Sequence, residues 1–211
     1  MIFENNYVTG TTNTEYGGVY LGNSTWGFAG SAIVRNNLQV GGPRFLHMEE
    51  NSYEIRVLDN VVRDLAPSPL PQGTTSARFI YGEGWKGPET ASELHASLRM
   101  TVQRNTISNV SGDGVDLGRA GSNFYPILGV KDVLISDNSF GVSGTAVRLQ
   151  GSSTDTRRFQ VFNNTGTNRY VRPELIGGDY WSGNMDGISY GTPTAVDWSA
   201  PLFAWEAYDR G

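Results

Sequence analysis

Gln103-Arg104-Asn105-Thr106-Ile107 and Ser136-Asp137-Asn138-Ser139-Phe140 are two copies of one pattern: a strand residue, a charged or polar residue, an asparagine, any residue, then an apolar one. The pattern also stands at Phe3-Glu4-Asn5-Asn6-Tyr7, Val34-Arg35-Asn36-Asn37-Leu38 and Leu58-Asp59-Asn60-Val61-Val62, with weaker copies at Phe162-Asn163-Asn164-Thr165 and Ser182-Gly183-Asn184-Met185. Taking Asn5, Asn36, Asn60, Asn105, Asn138, Asn164 and Asn184 as equivalent, the intervals are 31, 24, 45, 33, 26 and 20 residues. A period in the tens of residues, made irregular by inserted loops, marks a solenoid whose repeats must stack because none buries a core alone.

Each copy is followed by a second short strand, as in Gly18-Val19-Tyr20-Leu21-Gly22, Ala77-Arg78-Phe79-Ile80-Tyr81-Gly82 and Ala146-Val147-Arg148-Leu149-Gln150-Gly151. Asparagine suits the corner because it tolerates a left-handed backbone, and stacked amides hydrogen-bond along the stack. A sandwich or propeller would place tight Asn-Gly or Asp-Gly hairpins between strands, and these are almost absent. The expected fold is all-β, a right-handed single-stranded parallel β-helix of about seven irregular coils, roughly 34 Å long at ~4.8 Å per coil. Residues 1–191 would form the β-helix, and residues 192–211, with Trp198, Phe203, Trp205 and Tyr208, an aromatic tail or cap. Because a repeat follows Met1 at once, the chain reads as a fragment of a longer helix. A long insertion near residues 66–97 holds the proline-stiffened Ala66-Pro67-Ser68-Pro69-Leu70-Pro71 stretch and an expected short helix over 89–96.

Composition narrows the function. A net charge of -5 gives no electrostatic footprint for nucleic acid or an anionic membrane. Zero cysteines remove disulfides and thiolate chemistry, and the two histidines, His47 and His95, lie in no metal or triad motif. No metal or cofactor is expected, and no apolar run approaches the ~18 residues that span a bilayer.

The candidate chemistry sits in Ser111-Gly112-Asp113-Gly114-Val115-Asp116-Leu117-Gly118. Strand alternation turns Val115 and Leu117 inward and Asp116 outward, beside Arg148 of the next coil. By themselves these residues fit scaffold equally well, since Asp116 with Arg148 is an ordinary cross-strand pair and Asp113 an ordinary turn cap. Glu83 shifts the balance. Aligning Phe79-Ile80-Tyr81-Gly82 with Val115-Asp116-Leu117-Gly118 puts it on the adjacent coil near the same face, although a solvated loop acid is the plain alternative. A glycosidase needs one carboxylic acid to protonate the leaving oxygen and one carboxylate to attack or activate water. Glu83, Asp113 and Asp116 supply both, Trp85 and Tyr81 offer flat faces for sugar rings, and Arg148 and Lys86 complete the expected substrate contacts.

Asp113-Gly114-Val115-Asp116-Leu117-Gly118, with Gly82-Glu83-Gly84-Trp85-Lys86-Gly87 upstream, resembles the active region of tailed-phage tailspikes that cleave bacterial O-antigen, over about residues 77–150. The resemblance implies a homotrimeric parallel β-helix of the pectin-lyase-like superfamily whose catalytic carboxylates are Glu83, Asp113 and Asp116. It implies an endoglycosidase acting on a bacterial surface polysaccharide, in a virion tail or, for a bacterial protein, secreted. The acidic balance favours a neutral glycan. Two alternatives stand beside it. One is a polysaccharide lyase on the same fold, for which Arg157, Arg158, Arg169 and Arg172 are the cations, here read as solvated turn residues. The other is a non-catalytic carbohydrate-binding or structural segment.

Overall fold

Short β-branched runs broken by Asn, Asp or Gly fold as short strands and never as helix among the described residues, which are 1–9, 17–21, 31–49, 53–69, 76–83, 98–117, 131–150, 158–175 and 177–193 of a computed structural model. The strands come in rounds of three. The first round is β1 (Ile2–Glu4), β2 (Tyr7–Thr9) and β3 (Val19–Leu21); the second is β4 (Ala32–Arg35), β5 (Leu38–Val40) and β6 (Arg44–Glu49). Next are β7 (Tyr53–Leu58), β8 (Val61–Arg63) and β9 (Ala77–Glu83), then β10 (Leu98–Gln103), β11 (Thr106–Val110) and β12 (Gly112–Leu117). They are followed by β13 (Lys131–Ser136), β14 (Ser139–Val142) and β15 (Val147–Leu149), then β16 (Gln160–Phe162), β17 (Thr165–Gly166) and β18 (Tyr170–Val171), and β19 (Tyr180–Ser182) opens a further round.

Among the described residues, each of the six full rounds gives one strand to each of three sheets, and β19 adds a seventh strand to the first. The first sheet runs β1-β4-β7-β10-β13-β16-β19, the second β2-β5-β8-β11-β14-β17 and the third β3-β6-β9-β12-β15-β18. All strand pairs within them are parallel. The two strands flanking each asparagine belong to different sheets, so a full round has three strands where the sequence pattern suggested two. The core is built from registered columns. In the first sheet Val34, Val57, Val102, Ile135, Val161 and Trp181 lie side by side, all buried.

The asparagines that align are Asn6, Asn37, Asn60, Asn105, Asn138, Asn164 and Asn184. Each side-chain amide donates to the next one's Oδ1 at 2.9–3.0 Å, across intervals of 31, 23, 45, 33, 26 and 20 residues. Each backbone N–H from Asn6 to Asn164 donates to that same oxygen. From Asn37 onward the second amide hydrogen meets a first-sheet carbonyl of the preceding round, as Asn105 does with Val57. Buried amides are thereby satisfied on every side.

Two expectations are corrected here. The aligned residue in the first two rounds is Asn6 and Asn37, not Asn5 and Asn36. The left-handed conformation belongs to the residue before it: Asn5, Asn36, Asp59, Arg104, Asp137, Asn163 and Gly183 all have φ between 53° and 65°. Turning the chain from one sheet to the next requires one residue in that conformation, and the following amide is freed to bond along the stack.

Candidate functional site

Of the candidate residues, Tyr81, Asp113, Asp116 and Arg148 lie on the outward side of the third sheet, where strands bend and two positions three apart both leave the core. Leu46, Ile80, Val115 and Val147 form one core column of this sheet, and Met48, Gly82, Leu117 and Leu149 another. Between them the outward column reads Tyr20, His47, Tyr81, Asp116, Arg148 and Val171. A second outward column, three residues earlier, contains Arg44, Arg78 and Asp113. Gly114 is needed at the bend, because a Cβ there would stand 2.3 Å from the Ala146 carbonyl oxygen and 2.7 Å from the Phe140 ring.

The register shifts the expected alignment by one: Val115 pairs with Ile80, Asp116 with Tyr81 and Leu117 with Gly82. Asp113 lies within β12 opposite Arg78, not at a corner before the strand. Its Oδ1 accepts the Thr145 N–H at 2.6 Å, and its Oδ2 meets Arg148 Nη2 at 3.4 Å. Asp116 is deeply buried, with a side-chain exposure of 3%. Its Oδ2 pairs with Arg78 Nε at 2.9 Å, and its Oδ1 accepts from Gln150 Nε2 at 2.9 Å, with Arg148 Nε at 3.8 Å. Arg148 thus stands between the two carboxylates. Burial pushes the Asp116 carboxyl above its ordinary range, against the opposing pull of Arg78, Gln150 and Arg148.

Tyr81 is not an open sugar platform. It is 1% exposed, and the guanidiniums of Arg44 and Arg78 each lie over its ring, 4.4 Å from the centroid. This placement is favourable because two cations share one aromatic quadrupole. Next to it, His47 accepts from Arg44 Nη1 at Nδ1, 2.8 Å away, and has Tyr20 and Tyr81 against its ring. Burial, with Arg44 and Arg78 nearby, lowers its pKa to about 3.

Glu83 ends β9, two residues beyond Tyr81 and in register with Glu49 on the other side. Its backbone is therefore about 7 Å along the strand from the level of Asp116 and about 16 Å from that of Asp113, one strand spacing across. The side chain of Glu83, and Trp85, Lys86 and the expected 89–96 helix, lie outside the described residues. So the structure brings together Asp113, Asp116, Arg148 and Tyr81, and sets Glu83 on the strand beside Asp116.

Four residues that hold this face were not singled out from the sequence: Arg44, His47, Arg78 and Gln150. A signal for three of them existed, because Arg44-Phe45-Leu46-His47 and Arg78-Phe79-Ile80-Tyr81 are the same tetrapeptide pattern, and Phe45 stacks on Phe79 at 5.3 Å. Among the described residues no group of three His, Asp or Glu side chains could hold a metal ion. In comparisons with known proteins, no family model, no curated protein and no solved structure matches the chain.

Proposed function

We propose that the chain is a right-handed parallel β-helix of about seven coils that acts on a bacterial surface polysaccharide such as O-antigen, as a tailspike-type endoglycosidase. The observation that carries this reading is a buried carboxyl with a raised pKa, Asp116, one strand from Glu83 and beside a second acid, Asp113. A carboxyl whose burial shifts it toward its protonated form suits the general acid that glycoside cleavage requires, and a separately placed carboxylate suits its partner. Asp116 donates the proton, Glu83 acts as the attacking or water-activating carboxylate, and Asp113 is a positioning residue that fixes Arg148 and the Thr145 backbone. The three-sheet rotation and the asparagine ladder support the coil geometry. The same reading carries a homotrimer and a virion-tail or secreted setting, following the tailspike resemblance.

A second reading has its own observation. Asp116 is almost fully covered and both its oxygens are engaged, which suits a face that binds glycan without cleaving it.

Reducing-end release from lipopolysaccharide separates the two. Wild type releases ends, and Asp116→Asn and Glu83→Gln each lose about 100-fold or more while keeping the wild-type circular dichroism. Glycan binding with no release by wild type establishes the non-catalytic reading. Absorbance of an unsaturated uronate among the products would instead assign a lyase.

A further inference from the structure

An open groove of about 720 Å³ adjoins this face. Register places Arg148 beside Asp116 and Val171 beside Arg148, so the groove begins one strand past the carboxylates. Arg148, Arg169 and Arg172 line it, against a single acid, Asp186. That acid is already committed: its Oδ2 accepts the Trp181 Nε1–H at 2.9 Å and its Oδ1 the Ile188 N–H at 3.3 Å. Among the described residues, Arg169 and Arg172 have no carboxylate within ion-pairing distance. The Arg172 guanidinium is held over the buried Trp181 ring, 5.6 Å from its centroid, so one cation is set in place beforehand. Val171 and Ile188, 41% and 37% exposed, add aliphatic surface to the same groove.

In a chain of net charge -5, the guanidiniums of Arg169 and Arg172, without a carboxylate partner among the described residues, create a local field for an anion in one concavity. Guanidinium matches a carboxylate in a two-point fork, and aliphatic surface suits the C–H face of a pyranose. We propose that this groove binds the acidic residues of a carboxylate-bearing oligosaccharide. The inference rests on the glycan reading above and names its substrate class. It also replaces two expectations from the sequence, that the glycan is neutral and that Arg169 and Arg172 are merely solvated.

The test is calorimetric titration of the whole chain with a galacturonic acid tetramer and with its methyl ester, which has the same shape without charge. The acid is expected to bind at least about 10-fold tighter than the ester, and to weaken several-fold as salt rises toward ~0.5 M. Arg169→Ala removes an exposed side chain while its backbone carbonyl still accepts the Ala146 N–H, so the fold survives and acid affinity drops about 5- to 10-fold. Equal binding of acid and ester, an unchanged Arg169→Ala, or equally tight binding of a single-stranded oligonucleotide overturns the proposal. Acid-selective binding by a chain that releases no reducing ends supports the groove and removes the hydrolase. Cleavage of a neutral glycan by a chain indifferent to the acid tetramer does the reverse.

Discussion

The asparagine ladder and the outward face of the third sheet both run across the strands from round to round, yet they obey opposite rules. In the ladder the same neutral amide recurs, and each one donates and accepts in the same way as its neighbours. On the face no two successive positions are alike: His47, Tyr81, Asp116, Arg148 and Val171 follow one another in register. Uniform, self-complementary bonding fixes which residue stacks on which, and any one rung is bound by both of its neighbours. A column of unlike residues fixes nothing by repetition. It is held by particular pairings, such as Arg78 with Asp116, and can therefore carry chemistry that differs from round to round.

The strongest way to break that contrast is Asn105→Ala. Its Oδ1 accepts both the Asn60 N–H and the Asn60 side-chain amide, and its own amide serves Asn138 and the Val57 carbonyl. Truncation strands two buried donors at once and leaves a void, so a loss of about 3 kcal/mol is expected. Urea unfolding measures it. A loss below about 1 kcal/mol would mean that buried water replaces the amide, and the ladder would not be what sets the register.

The ladder was legible in the sequence and the face only in part, for a physical reason. Asparagine has few roles inside a sheet stack, so its recurrence exposed the period, and the errors at Asn5 and Asn36 arose only because two asparagines stand together there. Alternation also found Asp116 beside Arg148, whereas Asp113 was read as a turn cap before the strand and lies within it. Arg44 and Arg78 were missed because a cation in a strand ordinarily signals solvent, whereas here the Tyr81 ring covers both, and His47 was set aside because it stands in no metal or triad motif. Alternation also failed at the bend, where residues three apart share a face. Tyr81 was read as exposed for the converse reason: an outward position in a strand need not be open when neighbouring rounds supply large side chains to cover it.

His47 gives the next largest effect, and it comes from pH. Its folded pKa of about 3 lies below the unfolded value of 6.5, so on acidification the unfolded chain binds the proton and the folded chain does not. This contribution is complete above pH 6.5 and is lost as pH falls from there toward 3, at up to ~1.4 kcal/mol per pH unit. Between pH 7.5 and 5 the loss is about 2 kcal/mol. His47→Gln should flatten that slope in a series of urea midpoints. A slope that persists unchanged would place its origin in other groups.

Asp116→Asn sharpens the comparison, since it retains shape and removes charge. Because burial raises the carboxyl pKa despite Arg78 and Arg148, the folded state favours the neutral form, and Asp116 gains stability as pH falls through its raised range, opposite in sign to His47. Removing the charge relieves its desolvation but leaves the largely buried Arg78 without its charged partner, so the neutral isostere should cost about 1.5 kcal/mol at neutral pH. A cost above that of Asn105→Ala would make Asp116 the keystone of an ion-pair scaffold, and would weaken its assignment as a proton donor.

The smallest effect lies in the residues that flank the ladder. Arg104 immediately precedes Asn105 in the ladder, holds φ at 55°, and binds Asp59 through Nε at 2.8 Å and Nη2 at 2.9 Å. The hydrogen bond from Arg104 keeps the Asp59 carboxyl below its ordinary range, so this contribution is present above pH 3.8 and fades as pH falls below it. Both side chains are largely exposed, and solvent screening leaves such a pair worth a few tenths of a kcal/mol. Against it stands the left-handed backbone, which costs an arginine more than the asparagine found at the equivalent positions 5, 36 and 163. Arg104→Asn sets the lost ion pair against relieved strain, and the two nearly cancel: the urea midpoint should correspond to a change within about 0.5 kcal/mol. A substantially larger loss would show that the pair, and not the turn conformation, secures the corner, and that charge helps build the ladder side as well as the face.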